Sequence, residues 1–235
     1  MASIYELALC SQAVYSDNPR VDGWGLIRFF NYPSVGFFAA IFHKNHEEFV
    51  LAIRGTDQVL HDVPSDLRIT VGLPPKQAWQ ARFSCRKAYE LAHMRPLTLT
   101  GHSLGGGLAS YASAVQTALP VVTFNSPGMY NSVTGGFWGI AYQSRQLENN
   151  TNGIRTYIDE HNKAIHLRSE GDMVSTGTGA HIINNRITIN DNPSCSGLRF
   201  SFIKRAKYRL CTHSIDNMVE VISRNEKFKE EINWA

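Results

Sequence analysis

The pattern of apolar and polar residues predicts several strands near the start of the chain. Three β-rich runs follow one another near the start of the chain, separated by the polar turns NYPS and HKNHE: WGLIRFF, VGFFAAIF and EFVLAIRG. The last two runs are almost wholly apolar, which is typical of strands covered on both faces of a sheet. An antiparallel meander is therefore predicted, and an amphipathic helix precedes it, because Ser3 and Glu6 form a capping-box pattern before apolar residues at helical spacing.

Further along the chain, apolar residues recur every three or four positions. KQAWQARFSCRKAYELAHM predicts a helix that Pro96 ends, LTLT a strand, residues 104–119 a helix and VVTFNSPG another strand. KAIHL predicts a further strand, HIINNRITI a hairpin strand and HSIDNMVEVISRNEKFKEEI a closing helix. The strand, helix, strand order favours a mostly parallel central sheet flanked by helices, in one α/β domain over residues 1–235.

Composition excludes several classes of protein. The net charge is +3 and charged residues make up 18% of the chain, so nothing indicates a nucleic-acid binder. No run of eighteen apolar residues predicts a membrane span, and the first residues lack the pattern of a signal peptide. We therefore expect a protein that is cytoplasmic as made, with export by a non-classical route as the alternative.

Neither the cysteines nor the histidine turn predicts a metal site or a cofactor. The four cysteines are too widely spaced for a zinc motif, so free buried thiols are expected, with a Cys195–Cys211 bridge as the alternative. HKNHEE contains His43, His46 and Glu47 in a predicted turn with no distant fourth ligand, which favours a solvated turn.

The segment LTLTGHSLGGGLA supplies the strongest chemical signal. Ser103 stands between Gly101 and Gly105, after a predicted strand and before a predicted helix. That is the context of a nucleophile elbow, a tight turn that lifts a serine hydroxyl above the sheet. The motif predicts a nucleophilic serine, whereas a plain glycine-rich turn is the alternative.

A nucleophilic serine needs a histidine base and a carboxylate. In proteins with a nucleophile elbow, the carboxylate follows the serine in the chain and the histidine follows the carboxylate. His213 directly precedes the closing helix and is the preferred base; His181 is the alternative and His166, inside a strand, is expected to be structural. Asp172, in a loop after KAIHL, is preferred as the acid over Asp159 and Asp191.

Two backbone donors are expected to stabilise the oxyanion. One is the N–H of Leu104, the residue after the nucleophile. The other is expected in the loop AIRGTDQ, where Thr56 offers both an N–H and a hydroxyl, although this loop also fits an ordinary strand-ending turn.

Together, residues 50–72 and the segments LTGHSLGGGLA, VVTFNSPG, SEGDMVS and HSIDNMVE resemble the class 3, or fungal-type, lipases, and most closely a bacterial lipase-like branch. The resemblance implies an α/β-hydrolase fold and a serine carboxylic ester hydrolase that acts on lipid acyl esters through an acyl-enzyme, without a cofactor. It assigns the nucleophile, acid, base and oxyanion donor to Ser103, Asp172, His213 and Thr56.

Several readings stay open beside this one. The chain could be a small-ester esterase, a catalytically silent lipase-like interaction protein, or a bacterial phospholipase effector toxin paired with an inhibitory immunity protein. Residues 129–153 fit either a lid over the acyl site or a surface insertion. KRAKYR, with Lys204, Arg205, Lys207 and Arg209, is interpreted as a solvated strand face, with transient contact to anionic membrane headgroups as the alternative.

Overall fold

The computed structural model describes residues 1–55, 75–116, 119–129, 163–177, 185–190, 194–195 and 204–234. Within these ranges, seven strands form one sheet and lie in it in chain order. They are β1 (Gly25–Tyr32), β2 (Phe37–Lys44), β3 (Glu48–Ile53), β4 (Leu97–His102), β5 (Val121–Phe124), β6 (Ala164–Ser169) and β7 (Arg186–Ile189).

Strand direction divides the sheet into two parts. β1, β2 and β3 pair antiparallel, and β3 to β7 all run parallel. This confirms the predicted meander and the mostly parallel sheet. The carboxyl ends of β3 to β6 consequently meet at one edge, where Ile53 lies beside Gly101 and His102 beside Phe124.

Helices cover both faces of the sheet. They are α1 (Ile4–Ala13), α2 (Pro75–Ala92), α3 (Leu104–Gln116), α4 (Met173–Gly177), α5 (Lys204–His213) and α6 (Ile215–Ser223), with short 3₁₀ turns at Pro33–Val35 and Glu226–Phe228. Apolar side chains of α2 and α3 pack in one core, and those of α1 and α6 pack in the other. The predicted capping box of α1 is present, since Ser3 and Glu6 exchange both hydrogen bonds.

The apolar runs of the central strands supply both cores. Leu51 and Ile53 join the core under α2 and α3, whereas Val50 and Ala52 join the core under α1 and α6. All four are fully buried. A strand with successive side chains on opposite faces must be apolar at every position when helices cover both, which is why the sequence of β3 shows no alternation.

Three predicted elements differ in the structure. β7 pairs parallel with β6, so it does not close a hairpin. KRAKYR, residues 204–209, is interpreted from the sequence as a strand face but lies in the helix α5. That interpretation is wrong because charged residues at alternate positions hide the helical spacing of Ala206, Leu210 and His213. The closing helix ends at Ser223, and Asn225 then caps a short 3₁₀ turn.

The cysteines also differ from the expected free thiols. Cys195 and Cys211 form a disulfide, which was the alternative, while Cys10 and Cys85 are buried free thiols. The bridge ties residue 195 to the last turn of α5. Among the helices in the described ranges, none has both the length and the apolar character that a membrane crossing requires.

Candidate active site

Ser103 lies in a tight turn between β4 and α3. Its φ of 54° places it in the left-handed region, which is unfavourable for a residue with a side chain. Two backbone hydrogen bonds hold this conformation: the Ser103 N–H donates to the Phe124 carbonyl at 3.0 Å, and the Gly107 N–H donates to the Ser103 carbonyl at 3.2 Å. The sheet and the helix together therefore fix the strained serine at the carboxyl edge.

The glycines of the motif are required by close backbone contacts. A Cβ at Gly105 would lie 2.1 Å from the Ile53 carbonyl oxygen, and one at Gly101 would lie 2.6 Å from the Gly105 carbonyl carbon. No side chain fits these gaps, so the first turn of α3 can approach β3 and β4 only with glycine at both positions. This explains physically why the motif has its pattern.

Three of the predicted site residues meet at this edge. His213 Nε2 lies 2.9 Å from Ser103 Oγ, and His213 Nδ1 lies 2.7 Å from Asp172 Oδ1. All three side chains are buried, Asp172 completely. Ser103 comes from the turn after β4, Asp172 from the loop after β6 and His213 from the end of α5, so the sheet edge brings together residues separated by 41 and 110 positions.

Asp172 has a second partner. Its Oδ2 accepts the Ser175 N–H at 2.8 Å and so caps α4, while its Oδ1 faces His213. Burial raises the pKa of Asp172, but the hydrogen bond and positive charge of His213 and the hydrogen bonds from Ser175 outweigh burial and hold that pKa below its usual value. The carboxylate is therefore ionised at neutral pH and accepts a hydrogen bond from His213 Nδ1–H.

This arrangement is chemically suited to nucleophilic attack. With Nδ1–H donating to Asp172, Nε2 of a neutral His213 carries a lone pair toward the Ser103 hydroxyl. A histidine in that tautomer can take the serine proton as the oxygen attacks a carbonyl. Leu104 begins α3, where backbone N–H groups have no intrahelical partner and the helix dipole favours negative charge.

Three residues that the sequence did not single out line the same edge. His102 Nε2 lies 2.6 Å from the His213 carbonyl oxygen, and its Nδ1 lies 2.9 Å from the Tyr15 hydroxyl. The Asn125 side-chain amide donates to the carbonyls of Thr212 and His213 at 2.8 and 3.3 Å. One signal could have found His102: it follows Thr100 by two positions, so both side chains leave β4 on the face where Thr100 meets Ser11 of α1.

The other predicted residues have varied outcomes. His166 is buried in β6 and lies 2.8 Å from the Thr123 hydroxyl, which agrees with a structural role. His43 lies in β2 and its ring stacks on that of His46, in the turn that follows. The described part of the chain holds no group of three or more potential metal ligands. Thr56, His181, Asp159, Asp191 and residues 130–153 lie outside the described ranges.

Comparison with protein families identifies one match. Residues 6–185 match the model of the Tle-like phospholipase domain, described as phospholipase-like. The matched segment covers most of the chain and includes Ser103 and Asp172.

Two individual proteins, a phospholipase and a lipase, are also similar to this chain. The extracellular phospholipase A1 of Serratia liquefaciens is 27% identical over an alignment of 243 positions, which covers 97% of this chain and 73% of the relative. The crystal structure of the Lip2 lipase from Yarrowia lipolytica superposes with a TM-score of 0.54 at 15% identity, covering 80% of this chain and 78% of the lipase. At that identity the lipase shows the fold alone, which is the α/β-hydrolase fold expected from the sequence.

Proposed function

Because the chain belongs to the family of Tle-like phospholipase domains, we propose that it hydrolyses phospholipid acyl esters with Ser103 as nucleophile, His213 as base and Asp172 as acid. Membership of that family makes the protein a lipid ester hydrolase. The observation that supports the residue assignment is the position of His213, whose two ring nitrogens reach Ser103 Oγ and Asp172 Oδ1.

In the proposed reaction, Ser103 Oγ attacks the acyl carbonyl carbon while His213 Nε2 takes the hydroxyl proton. The tetrahedral intermediate collapses as His213 returns that proton to the glycerol oxygen, so the lysophospholipid leaves and the acyl group stays on Ser103. Nε2 of His213 then takes a proton from a water molecule as the water oxygen attacks the acyl carbon. The bond to Ser103 Oγ breaks as His213 returns that proton to Oγ, and the fatty acid leaves. Asp172 keeps His213 in the required tautomer throughout.

Negative charge on the acyl oxygen needs donors that are already in place. The Leu104 N–H at the start of α3 is the first proposed donor, and Thr56 follows β3 closely enough in sequence to supply the second. Each such donor is typically worth about 3 kcal/mol of activation free energy.

Access to lipid requires contact with a membrane surface. We propose that the basic helix α5 makes this contact, since Lys207 and Arg209 are exposed on the helix that ends at His213. Cations beside the site would hold an anionic bilayer against the active edge.

The deciding experiment compares wild type with Ser103→Ala on phosphatidylglycerol that carries palmitate on the first glycerol carbon and oleate on the second. Wild type should release mainly palmitate, as expected from the relative named phospholipase A1. Ser103→Ala should lose at least about a thousandfold in rate and should no longer react with a fluorophosphonate probe. An active Ser103→Ala protein would refute the nucleophile, and a wild type that is inert on every lipid and small ester would favour the silent interaction protein.

A further inference from the structure

We propose that His102 is a positioning residue, which holds the base His213 in place by donating a hydrogen bond from Nε2 to the His213 backbone carbonyl. The inference rests on the proposed function, because it assigns His102 a role only through the base. His102 directly precedes Ser103, so the turn that presents the nucleophile also holds the backbone of its base.

The end of α5 is the reason that such a partner is needed. The last carbonyls of a helix have no intrahelical donor, and His213 is the final residue of α5. The His213 carbonyl is instead bonded by His102 Nε2 at 2.6 Å and by the Asn125 amide at 3.3 Å. Two side chains at the ends of β4 and β5 thus cap the helix that carries the base.

Tyr15 determines which nitrogen of His102 carries the proton. A carbonyl oxygen can only accept, so Nε2 must carry the hydrogen, and Nδ1 must then accept from the Tyr15 hydroxyl at 2.9 Å. The Tyr15 oxygen in turn accepts the Gly55 N–H at 3.2 Å. A continuous series of hydrogen bonds therefore joins Gly55, which follows β3 and directly precedes Thr56, to the backbone of His213.

His102 is also held neutral. It is buried and its ring centroid lies 4.8 Å from that of His213. Burial, followed by the nearby positive charge of a protonated His213, lowers the pKa of His102 to about 3. A neutral imidazole with a fixed tautomer is suited to hold a carbonyl and does not compete with His213 for the serine proton.

Asn125 links the same carbonyl to the acid. Its amide nitrogen reaches Thr212 and His213, while its Oδ1 accepts the Ser169 N–H at 2.8 Å. Ser169 ends β6, three residues before Asp172. The Asn125 side chain therefore bonds both to the backbone of the base and to the strand end before the acid, which keeps the distance between base and acid fixed.

The experiment replaces His102 with two amides of different length. The Gln amide nitrogen is as far from Cβ as His Nε2 and can keep the bond to the His213 carbonyl, whereas the Asn nitrogen is one bond shorter and cannot. His102→Asn should lower kcat on a soluble p-nitrophenyl ester roughly 10- to 100-fold with KM unchanged, because displacing a reacting group by about 1 Å costs about that much. His102→Gln should recover most of the rate. Rates are expressed per site titrated with a fluorophosphonate, so unfolded protein does not count.

Two further variants separate positioning from stability. His166→Asn removes another buried histidine that is bonded to a hydroxyl through Nδ1, and it should keep kcat per titrated site. Tyr15→Phe should lower kcat in wild type but have less than a twofold effect in the His102→Asn background. A His102→Asn enzyme with wild-type kcat, or Gln and Asn variants that are equally impaired, would overturn the inference. Neither result would contradict the proposed function, which the Ser103→Ala variant tests separately.

Discussion

At the scale of single residues, Asp172 serves two partners with its two oxygens. One oxygen caps α4 and the other lies against His213 Nδ1, so the turn-capping aspartate and the proposed catalytic acid are the same side chain. An isosteric amide can satisfy only one of the two donors, since it has a single acceptor oxygen.

Replacing Asp172 with Asn should therefore leave the protein folded but nearly inactive. If the Asn oxygen keeps the Ser175 N–H, its NH₂ group faces His213 and stabilises the tautomer with a bare Nδ1, which leaves Nε2 unable to take a proton. The corresponding change in serine proteases lowers kcat by about ten-thousandfold. Steady-state kinetics on a p-nitrophenyl ester measure this loss, with Asp159→Asn as the control. Severe damage in the control and mild damage in Asp172→Asn would move the acid to Asp159.

The buried His102 should make stability depend on pH. The pKa of His102 is lowered to about 3 in the folded protein, so between that value and the ordinary histidine pKa of 6.5 the unfolded chain binds up to one more proton. The contribution of this neutral histidine is therefore complete above the unfolded pKa and is lost as the pH falls. The free energy of unfolding should decline by up to about 1.4 kcal/mol per pH unit between about pH 6 and pH 4 on account of this group.

Urea unfolding of wild type and His102→Gln across that range measures the contribution. The wild-type curve should be steeper by roughly one proton, because glutamine does not titrate. Asp172 does not confound the comparison in the upper half of the range, since its lowered pKa affects stability only at more acid pH. Parallel curves for the two proteins would show that His102 is not held neutral.

The sequence predicts some of these residues and misses others for a physical reason. The proximity of Ser103, Asp172 and His213 could be predicted because turn chemistry and strand order constrain them to one sheet edge. Tyr15 and Asn125 could not, because their roles depend on which side chain crosses a helix end from a distant segment. The bond from His102 joins positions 102 and 213, and no local pattern encodes that pairing.

At the scale of elements, α5 shows how a charge pattern misleads. Cations at alternate positions in KRAKYR suggest the two-residue period of a strand, yet Lys, Arg, Ala and Leu all favour helices. Tertiary contacts determine the outcome: Thr212 and His213 are buried against β4 and β5, and Cys211 is bonded to Cys195. The central strands had no such competition, since their apolar runs could be buried only inside the sheet.

The disulfide should stabilise this end of α5. Cys211 lies two residues before His213, and the bridge closes a loop with a sequence separation of 16. In the chain-entropy model a loop of that size contributes about 3 kcal/mol. Reduction should therefore lower the free energy of unfolding by roughly that amount and reduce activity, as measured by urea unfolding and ester hydrolysis with and without a thiol reductant. The Cys195→Ser/Cys211→Ser double variant is the control and should not respond to reductant; an equal response would assign the effect to another group.

At the scale of the whole molecule, the parallel strands end at a carboxyl edge and begin at an opposite edge. Ser103, Asp172 and His213 lie where the parallel strands end, and α5 brings exposed Lys207 and Arg209 to the same region. Four cations lie toward the opposite edge: Arg95 precedes β4, and Arg224, Lys227 and Lys229 follow the far end of α6. Two of them are paired there, Arg224 with Glu220 and Lys229 with Glu226. With Lys204 and Arg205 of the same helix, α5 also has four cations, so the two groups carry equal charge. They differ in their distance from Ser103, Asp172 and His213.

That difference provides the test of membrane contact. Changing Lys204, Arg205, Lys207 and Arg209 to Gln should slow hydrolysis of phosphatidylglycerol vesicles, because each cation near an anionic surface contributes about 1 kcal/mol of attraction before screening. Raised salt should weaken wild type in the same way, since the Debye length falls to about 3 Å at 1 M. The matched variant, with Arg95, Arg224, Lys227 and Lys229 changed to Gln, has the same net charge and should keep the wild-type rate on vesicles. Both variants should hydrolyse a soluble ester at the wild-type rate. Equal losses of rate on vesicles would mean that net charge alone matters. If emulsified triacylglycerol is hydrolysed faster than vesicles and neither variant changes that rate, α5 is a solvated helix without a membrane contact.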